Sequence, residues 1–278
     1  MAVDEHEKPK SMKRNPLKER LALGEIAYGV MCMEFASTGI GRISASAGAH
    51  FAVYDMEHTG WSLETIRLLI ATSRSVDMLP IVRVPISDYH HIAHVLDVGA
   101  GGIVIPLVKN AAHMREAISY AQYPPMGRRG CAFVLSHDDY QPGYIVEKMR
   151  SANESLFMIA QIETVEGLEN CDEIAGVQGV DAIWVGQFDL STSMGIPGQF
   201  KNPVFLDALR RVQVACKKNN KTSVLGLMDP AELAKGPSNG YQILVYLADL
   251  WIYQQALRTG FQMIEDCNPS QRISTGPI

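Results

Sequence analysis

Two acids, Glu163 in QIET and Asp189 in GQFDLS, each stand just past the end of a short apolar run, where a parallel sheet would present them on one face. Two carboxylates, waters and a chelating substrate make an oxygen-rich octahedral site, which suits Mg2+, Mn2+ or Co2+ better than zinc. The same positions, just ahead of Val165 and Leu190, also fit acids that simply cap following helices. An earlier constellation pairs His58 with Asp55, three residues before it in DMEH. An aspartate that accepts from one imidazole nitrogen fixes the tautomer and frees the other nitrogen to move protons. A lone histidine after a strand also serves purely structural ends. Arg83, in VRVP, offers a fixed cation that could hold a carboxylate or a developing enolate oxygen, or could pair with Glu57 or Asp55. Gln161 is the last inward position before Glu163 and can hydrogen-bond substrate or water there.

The elements that must position these groups read as alternating strands and helices. Apolar runs suited to buried parallel strands lie at 25–32, 51–56, 80–84, 102–106, 157–162, 181–186, 222–227 and 241–246. Helical periodicity follows at 62–75, where Leu63, Ile66, Leu69 and Ile70 share a face, and again at 88–98, 111–122, 165–175 and 203–219. Alternation of this kind predicts a parallel sheet, and eight units can close it into a (β/α)8 barrel with its polar groups at the C-terminal ends of the strands.

The 123–155 connection, with YPPMGRRG and HDDYQPGY, exceeds ordinary loop length and reads as a lid or an interface. The unit at 229–240, with Pro230, Gly236, Pro237 and Gly240, supports only a short helix. The last helix, 247–261, carries Leu250, Trp251, Ile252, Tyr253 and Leu257, more apolar surface than one barrel wall requires, so it should pack on a neighbouring subunit.

The chain of 278 residues is 47% apolar, enough for one catalytic domain, here 21–264, between a solvated arm at 1–20 and a polar tail at 265–278. A net charge of −5 gives no electrostatic pull toward nucleic acid or anionic lipid, and no apolar run is long enough to span a membrane. The partner is thus expected to be a small molecule. Five cysteines without a Cys-x-x-Cys pair suggest neither a disulfide framework nor a thiolate zinc site, which fits a reducing cytoplasm.

Other features carry less chemistry. His90 and His94 share a helical face with His91 nearby, but no acid occupies the HExxH position, and they read as surface or interface histidines. Gly99, Gly101 and Gly102 precede a strand, whereas a dinucleotide fingerprint must follow one. Cys131 has no demonstrable base and reads as an ordinary thiol.

Together DMEH, VRVP, LDVGAGGIVIPLV, YPPMGRRG, QIETVEGLEN and GQFDLS, in this order, resemble the HpcH/HpaI family of metal-dependent pyruvate aldolases, closely over 26–189 and loosely beyond. The resemblance implies that Glu163 and Asp189 are metal ligands, that His58 with Asp55 moves the proton, and that Arg83 binds the keto-acid oxygen. It further implies that Gln161 contacts substrate or water and that the backbone of Gly186 and Phe188 lines the keto-acid carboxylate site. Asp97 matches a carboxylate that reaches a neighbouring subunit's site, and the expected assembly is a homohexamer with exchanged last helices. The implied reaction joins or separates pyruvate and an aldehyde through a 4-hydroxy-2-oxo acid, with no Schiff-base role for Lys109.

The chain also departs from that pattern. Gly186-Gln187-Phe188-Asp189 replaces Gly-Pro-Ala-Asp, so Phe188 is expected to narrow or reshape the keto-acid pocket. Met31 and Met33 stand near the first strand where many relatives have tryptophan or leucine, no arginine occurs in 131–140, and ILVYLADLW lacks the usual glycine. Two rival readings keep the barrel. One transfers an oxaloacetate-derived enolate to another acceptor, as macrophomate synthase or the siderophore citrate synthases do; the other is a non-catalytic ligand-binding barrel, which the presence of every site residue disfavours.

Overall fold

The computed structural model describes residues 15–227 and 239–267. Eight parallel strands close on themselves in sequence order: β1 Ala27–Cys32, β2 Phe51–Asp55, β3 Leu79–Arg83, β4 Gly102–Ile105, β5 Phe157–Ile162, β6 Ala182–Val185, β7 Thr222–Leu227 and β8 Ile243–Ala248. Every expected run is a strand, and β8 pairs back onto β1. Side chains alternate between two cores, as period two demands. Phe51, Val53, Leu79, Ile81, Phe157, Ile159, Ala182 and Trp184 fill the barrel interior. Ala52, Tyr54, Val82, Met158, Ala160 and Ile183 face the surrounding helices. The inward series on β2, β3 and β5 therefore ends in Asp55, Arg83 and Gln161.

The outer layer consists of α1 Pro16–Ala22, α2 Ile40–Ser46, α3 Leu63–Arg74, α4 Tyr89–Asp97, α5 Ala111–Ala121, α6 Ile145–Ser155, α7 Val165–Glu169, α8 Cys171–Ala175, α9 Gln187–Ser193, α10 Pro203–Lys218 and α11 Asp249–Cys267. Side-chain caps start several of them: Ser62 on Thr65, Asp88 on His91 and Asn110 on His113. The helix expected over 165–175 is two short ones meeting at Asn170, whose amide reaches across to the carbonyl of Lys109 at 2.9 Å.

The arm is not solvated over its described part. Leu17 is buried, and Asn15 both caps α1 through the N–H of Leu17 at 3.0 Å and donates to the carbonyls of Gly101 and Ser155 at 3.2 and 2.7 Å. α1 thereby closes the strand-start end of the barrel. Residues 1–14, most of the unit expected at 229–240, and 268–278 lie outside the described residues, while 265–267 belong to α11 rather than to a tail.

The 123–155 connection holds a short 3-10 turn at Ser136–Asp138 and then α6. It binds the strand-start side: Arg74, at the end of α3, donates to Gly99 O and pairs with Asp139 at 2.7 Å, and Arg129 pairs with Asp97 at 2.7 Å. It is therefore no lid over the strand C-termini of its own subunit. α11 buries Asp249, packs the half-buried Leu250 and Trp251 on the barrel core, and leaves Tyr253, Phe261, Met263 and Ile264 exposed. Among the described residues no helix is long and apolar enough to cross a membrane.

Asp138 organises the connection. It accepts from the N–H groups of Val134 and Leu135, both at 2.8 Å, and from Lys148 at 2.5 Å. Burial alone would raise its carboxyl, but these donors outweigh burial and hold it below the ordinary aspartate value. A depressed folded-state value contributes stability that is present above the unfolded aspartate value of about 3.9 and lost as pH falls through the folded one. The melting-temperature gap between wild type and Asp138→Asn is therefore expected to be full near neutrality and to close as pH is lowered below about 4; a gap that does not change with pH would show that the carboxylate charge is immaterial.

Candidate active site

At the C-terminal ends of the strands the deepest feature is an ion pair. Asp55 and Arg83 are register partners on β2 and β3, both inward and both buried. Arg83 donates through Nε to Asp55 Oδ1 at 2.7 Å and through Nη2 to Asp55 Oδ2 at 2.8 Å, a bidentate fork, and its Nη1 lies 3.1 Å from Glu57 Oε2. Burial opposes the charge on Arg83, yet the bonds and field of Asp55, with Glu57 and Glu163 nearby, raise its pKa above the usual value.

The expected dyad of Asp55 with the His58 ring is not formed. Asp55 takes the guanidinium of Arg83 and the backbone N–H groups of Glu57 and His58, at 3.0 and 3.2 Å. The His58 ring stands outside, about half exposed, with Nε2 3.7 Å from Glu57 Oε2. A fork-shaped donor directly opposite in register wins the carboxylate, and Glu57 becomes the acid beside the imidazole. Sequence reading had placed Glu57 only as one option for Arg83. Burial, with Asp55 and Asp189 adding like charge against the relief from Arg83, raises the Glu57 carboxyl.

Glu163 follows β5 and is buried with both oxygens held: Oε1 accepts from Gln161 Nε2 at 2.8 Å and Oε2 from the N–H of Leu107 at 2.7 Å. Leu107 adopts φ 51°, a left-handed backbone costly for a side-chain-bearing residue, and this turn aims its N–H at the acid. No sequence signal announces that donor. Despite it, burial and the charges of Glu57 and Asp189 push Glu163 up to about 7. Gly186 leaves the acid its room, since a Cβ there would lie 2.5 Å from Glu163 Oε1. Asp189 sits in the first turn of α9, which opens at Gly186.

The donor chemistry fits a hard divalent cation. A buried carboxylate raised by neighbouring acids is stabilised by a positive charge, and Gln161 Oε1 is buried without a hydrogen-bond partner among the described residues. Among those residues no three His, Cys, Asp or Glu side chains converge on one point, so Glu163 and Asp189 would leave most coordination positions to water and substrate, as Mg2+ sites commonly do. Phe188 does not narrow this space: its ring lies edge-on to Phe200 at 5.1 Å and is half exposed. Asp97, at the end of α4, is on the opposite side of the barrel from these groups, paired with Arg129.

A family model described as HpcH/HpaI aldolase/citrate lyase matches residues 33–238. The chain belongs to the HpcH/HpaI aldolase/citrate lyase family. It is 28% identical over 263 residues to the 2-keto-3-deoxy-L-rhamnonate aldolase of Escherichia coli K12, covering 93% of this chain and 96% of that one. The crystal structure of an HpcH/HpaI aldolase from Desulfitobacterium hafniense DCB-2 superposes with a TM-score of 0.86 at 31% identity over 94% of this chain and 99% of that one. The citrate synthase SbnG superposes at 0.82 and 28% identity, covering 91% and 98%. This HpcH/HpaI family member is an enzyme of the aldolase type, a lyase.

The roles of Asp55 and His58 separate in a simple experiment. Asp55→Ala leaves Arg83 buried without its fork partner and is expected to cost about 3–5 kcal/mol of stability. His58→Ala, on an exposed ring, is expected to leave the melting temperature within a degree or two, because such surface changes stay within about 0.5 kcal/mol. Equal destabilisation by the two substitutions, measured by thermal unfolding, would contradict this division of roles.

Proposed function

We propose that the protein is a divalent-metal-dependent aldolase that forms or cleaves the C3–C4 bond of 4-hydroxy-2-oxo acids, with pyruvate and an aldehyde as the partners. The observation that carries this reading is the fixed Arg83 cation beside the buried Glu163, the half-buried Glu57 and the exposed Asp189, on the face where barrel enzymes work. A cation such as Mg2+, Mn2+ or Co2+ held by Glu163 and Asp189 would polarise the 2-oxo acid when bound. Arg83, with Nε and Nη2 committed to Asp55 and Nη1 3.1 Å from Glu57 Oε2, turns the remaining N–H of Nη1 to the 2-oxo oxygen and stabilises the charge that develops there. Gln161 orients Glu163 and can bind substrate through its free carbonyl oxygen.

In the cleavage direction His58, steadied by Glu57, accepts the C4-hydroxyl proton directly or through water. The C4 oxygen becomes the aldehyde carbonyl, the C3–C4 electron pair passes to the enolate, and protonation at C3 yields pyruvate. The backbone at Gly186 and Phe188 receives the keto-acid carboxylate. With Phe188 turned onto Phe200, the pocket stays open toward the distal end of the substrate.

The assembly we propose is a homohexamer in which α11 covers a neighbour. The exposed apolar residues of α11 match the half-exposed Tyr28 on β1. Asp97, on the strand-start side, can serve only another subunit's site. Mass measurement at micromolar concentration is expected to give a hexamer, and Phe261→Asp a smaller species; a monomeric wild type would end this part of the reading.

The citrate synthase SbnG, at 28% identity, favours a second reading in which an enolate made from oxaloacetate is joined to an acceptor other than an aldehyde. The deciding experiment for the first is solvent-deuterium exchange into the pyruvate methyl group by NMR. Exchange is expected with Mg2+, Mn2+ or Co2+, to be absent from chelator-stripped protein, and to fall by at least about 100-fold in Glu163→Ala, in line with loss of a single key electrostatic group. No exchange with any metal would overturn the pyruvate reading, and product analysis from oxaloacetate with aldehyde, acyl-thioester and pyrone acceptors would then test the second.

A further inference from the structure

The histidines of α4 take no part in the chemistry above, and their geometry is not that of unrelated surface residues. His91 is committed to the helix cap, its Nδ1 3.0 Å from both oxygens of Asp88. His90 and His94 stand one turn apart on the same face, with ring centroids 5.7 Å apart and ring planes inclined at 56°. A transition ion sits about 2.0–2.1 Å from an imidazole nitrogen, hence about 3.2 Å from the ring centroid. Two centroids 5.7 Å apart can therefore share one such ion with the backbone of α4 unmoved. Both histidines also line an open cavity of about 300 Å3 whose wall includes Met56 and Trp61, so a methionine borders the same space.

We propose that His90 and His94 form a second metal site, selective for late first-row transition ions and separate from the oxygen-rich pair Glu163 and Asp189. Imidazole favours Cu2+, Ni2+ and Zn2+ and discriminates against Mg2+ and Mn2+, with Cu2+ bound most tightly. That is the reverse of the preference of a carboxylate site. Among the described residues no third His, Cys, Asp or Glu completes the coordination, so water fills the remaining positions and the ion is exchangeable. The site adjoins the catalytic face, because Met56 follows Asp55 directly and Pro85, also in the cavity wall, lies two residues past Arg83. Activation measured with Ni2+ or Zn2+ would thus load two chemically different sites in one chain, whereas Mg2+ would load one.

The test uses full-length, chelator-stripped protein and calorimetric titration with Ni2+ alone, in a Glu163→Gln background that weakens the carboxylate site. One equivalent of Ni2+ is expected to remain in Glu163→Gln, not to be displaced by excess Mg2+, and to weaken by at least about tenfold when His90→Ala and His94→Ala are added. Cu2+ titration is expected to quench tryptophan fluorescence in the same background, with the quenching reduced by Trp61→Phe. Both histidines are exposed, so these substitutions leave the fold intact, which circular dichroism checks. Ni2+ binding unchanged by the histidine substitutions, or absent once Glu163 is altered, would overturn the proposal whatever the outcome for the aldolase reading.

Discussion

The bidentate bond between Asp55 and Arg83 is the constraint on which the rest of the site depends. Both residues end inward series of neighbouring strands, so the barrel closes around a charged pair in which Asp55 is fully buried and Arg83 nearly so. Two parallel hydrogen bonds offset the desolvation of such a pair only when their geometry is good, and the register of β2 with β3 supplies that geometry without help from loops. Asp55 has oxygen capacity left over, and it spends this on the N–H groups of Glu57 and His58. The loop carrying the proposed proton carrier is thereby fixed by the residue that fixes the arginine. One carboxylate sets the positions of a cation, an acid and an imidazole.

Glu163 presents the complementary case, a negative group stabilised less well than its surroundings demand. Two good donors hold it, one aimed by the left-handed backbone at Leu107, yet burial and nearby acids still push it up to about 7. A structure that spends backbone strain to orient a carboxylate and then surrounds it with like charge is arranged for a positive partner. Arg83 cannot be that partner in full, because its fork is already taken. The tight fit of Gly186 against Glu163 Oε1 shows how little space separates the acid from β6, which leaves the open side of the bowl as its direction of approach.

The sequence was most legible where physics is periodic. All eight strands, the closure of the barrel and the inward placement of Asp55, Arg83 and Gln161 follow from alternation of apolar residues, and that alternation reports burial directly. The positions of Glu163, one step past such a run, and Asp189, three steps past another, were legible for the same reason. Competition between partners was not legible. His58 is nearer to Asp55 in sequence than Arg83 is, but cross-strand register outranks sequence proximity, and no local pattern reveals register. The docking of α1 was missed because its charged neighbours resemble a solvated arm, while the deciding groups are a single leucine and the two-ended amide of Asn15. Phe188 was misjudged because its stacking partner, Phe200, lies beyond α9, in a loop whose path the local sequence does not specify.

The two ends of the chain close the barrel in unequal ways, and this inequality bears on assembly. At the strand-start end, α1 buries Leu17, and its cap residue Asn15 donates to the carbonyls of Gly101 and Ser155, so that mouth is covered from within the chain. At the β8–β1 seam the strands pair with one register shift between Val30 and Met31, and α11 packs Leu250 and Trp251 on the barrel core near its origin before its exposed length. Asp249 anchors that departure, accepting the N–H groups of Met33 and Phe35 at 3.0 and 2.8 Å, and ties the root of α11 to the loop after β1. A helix rooted so firmly and yet bare along its apolar length is not a frayed end. Its exit is built into the fold, and the surface it leaves on β1 has the same character as the surface it carries away. In the homohexamer proposed above, a second copy of the chain would bury both surfaces with one operation, as symmetric assembly requires.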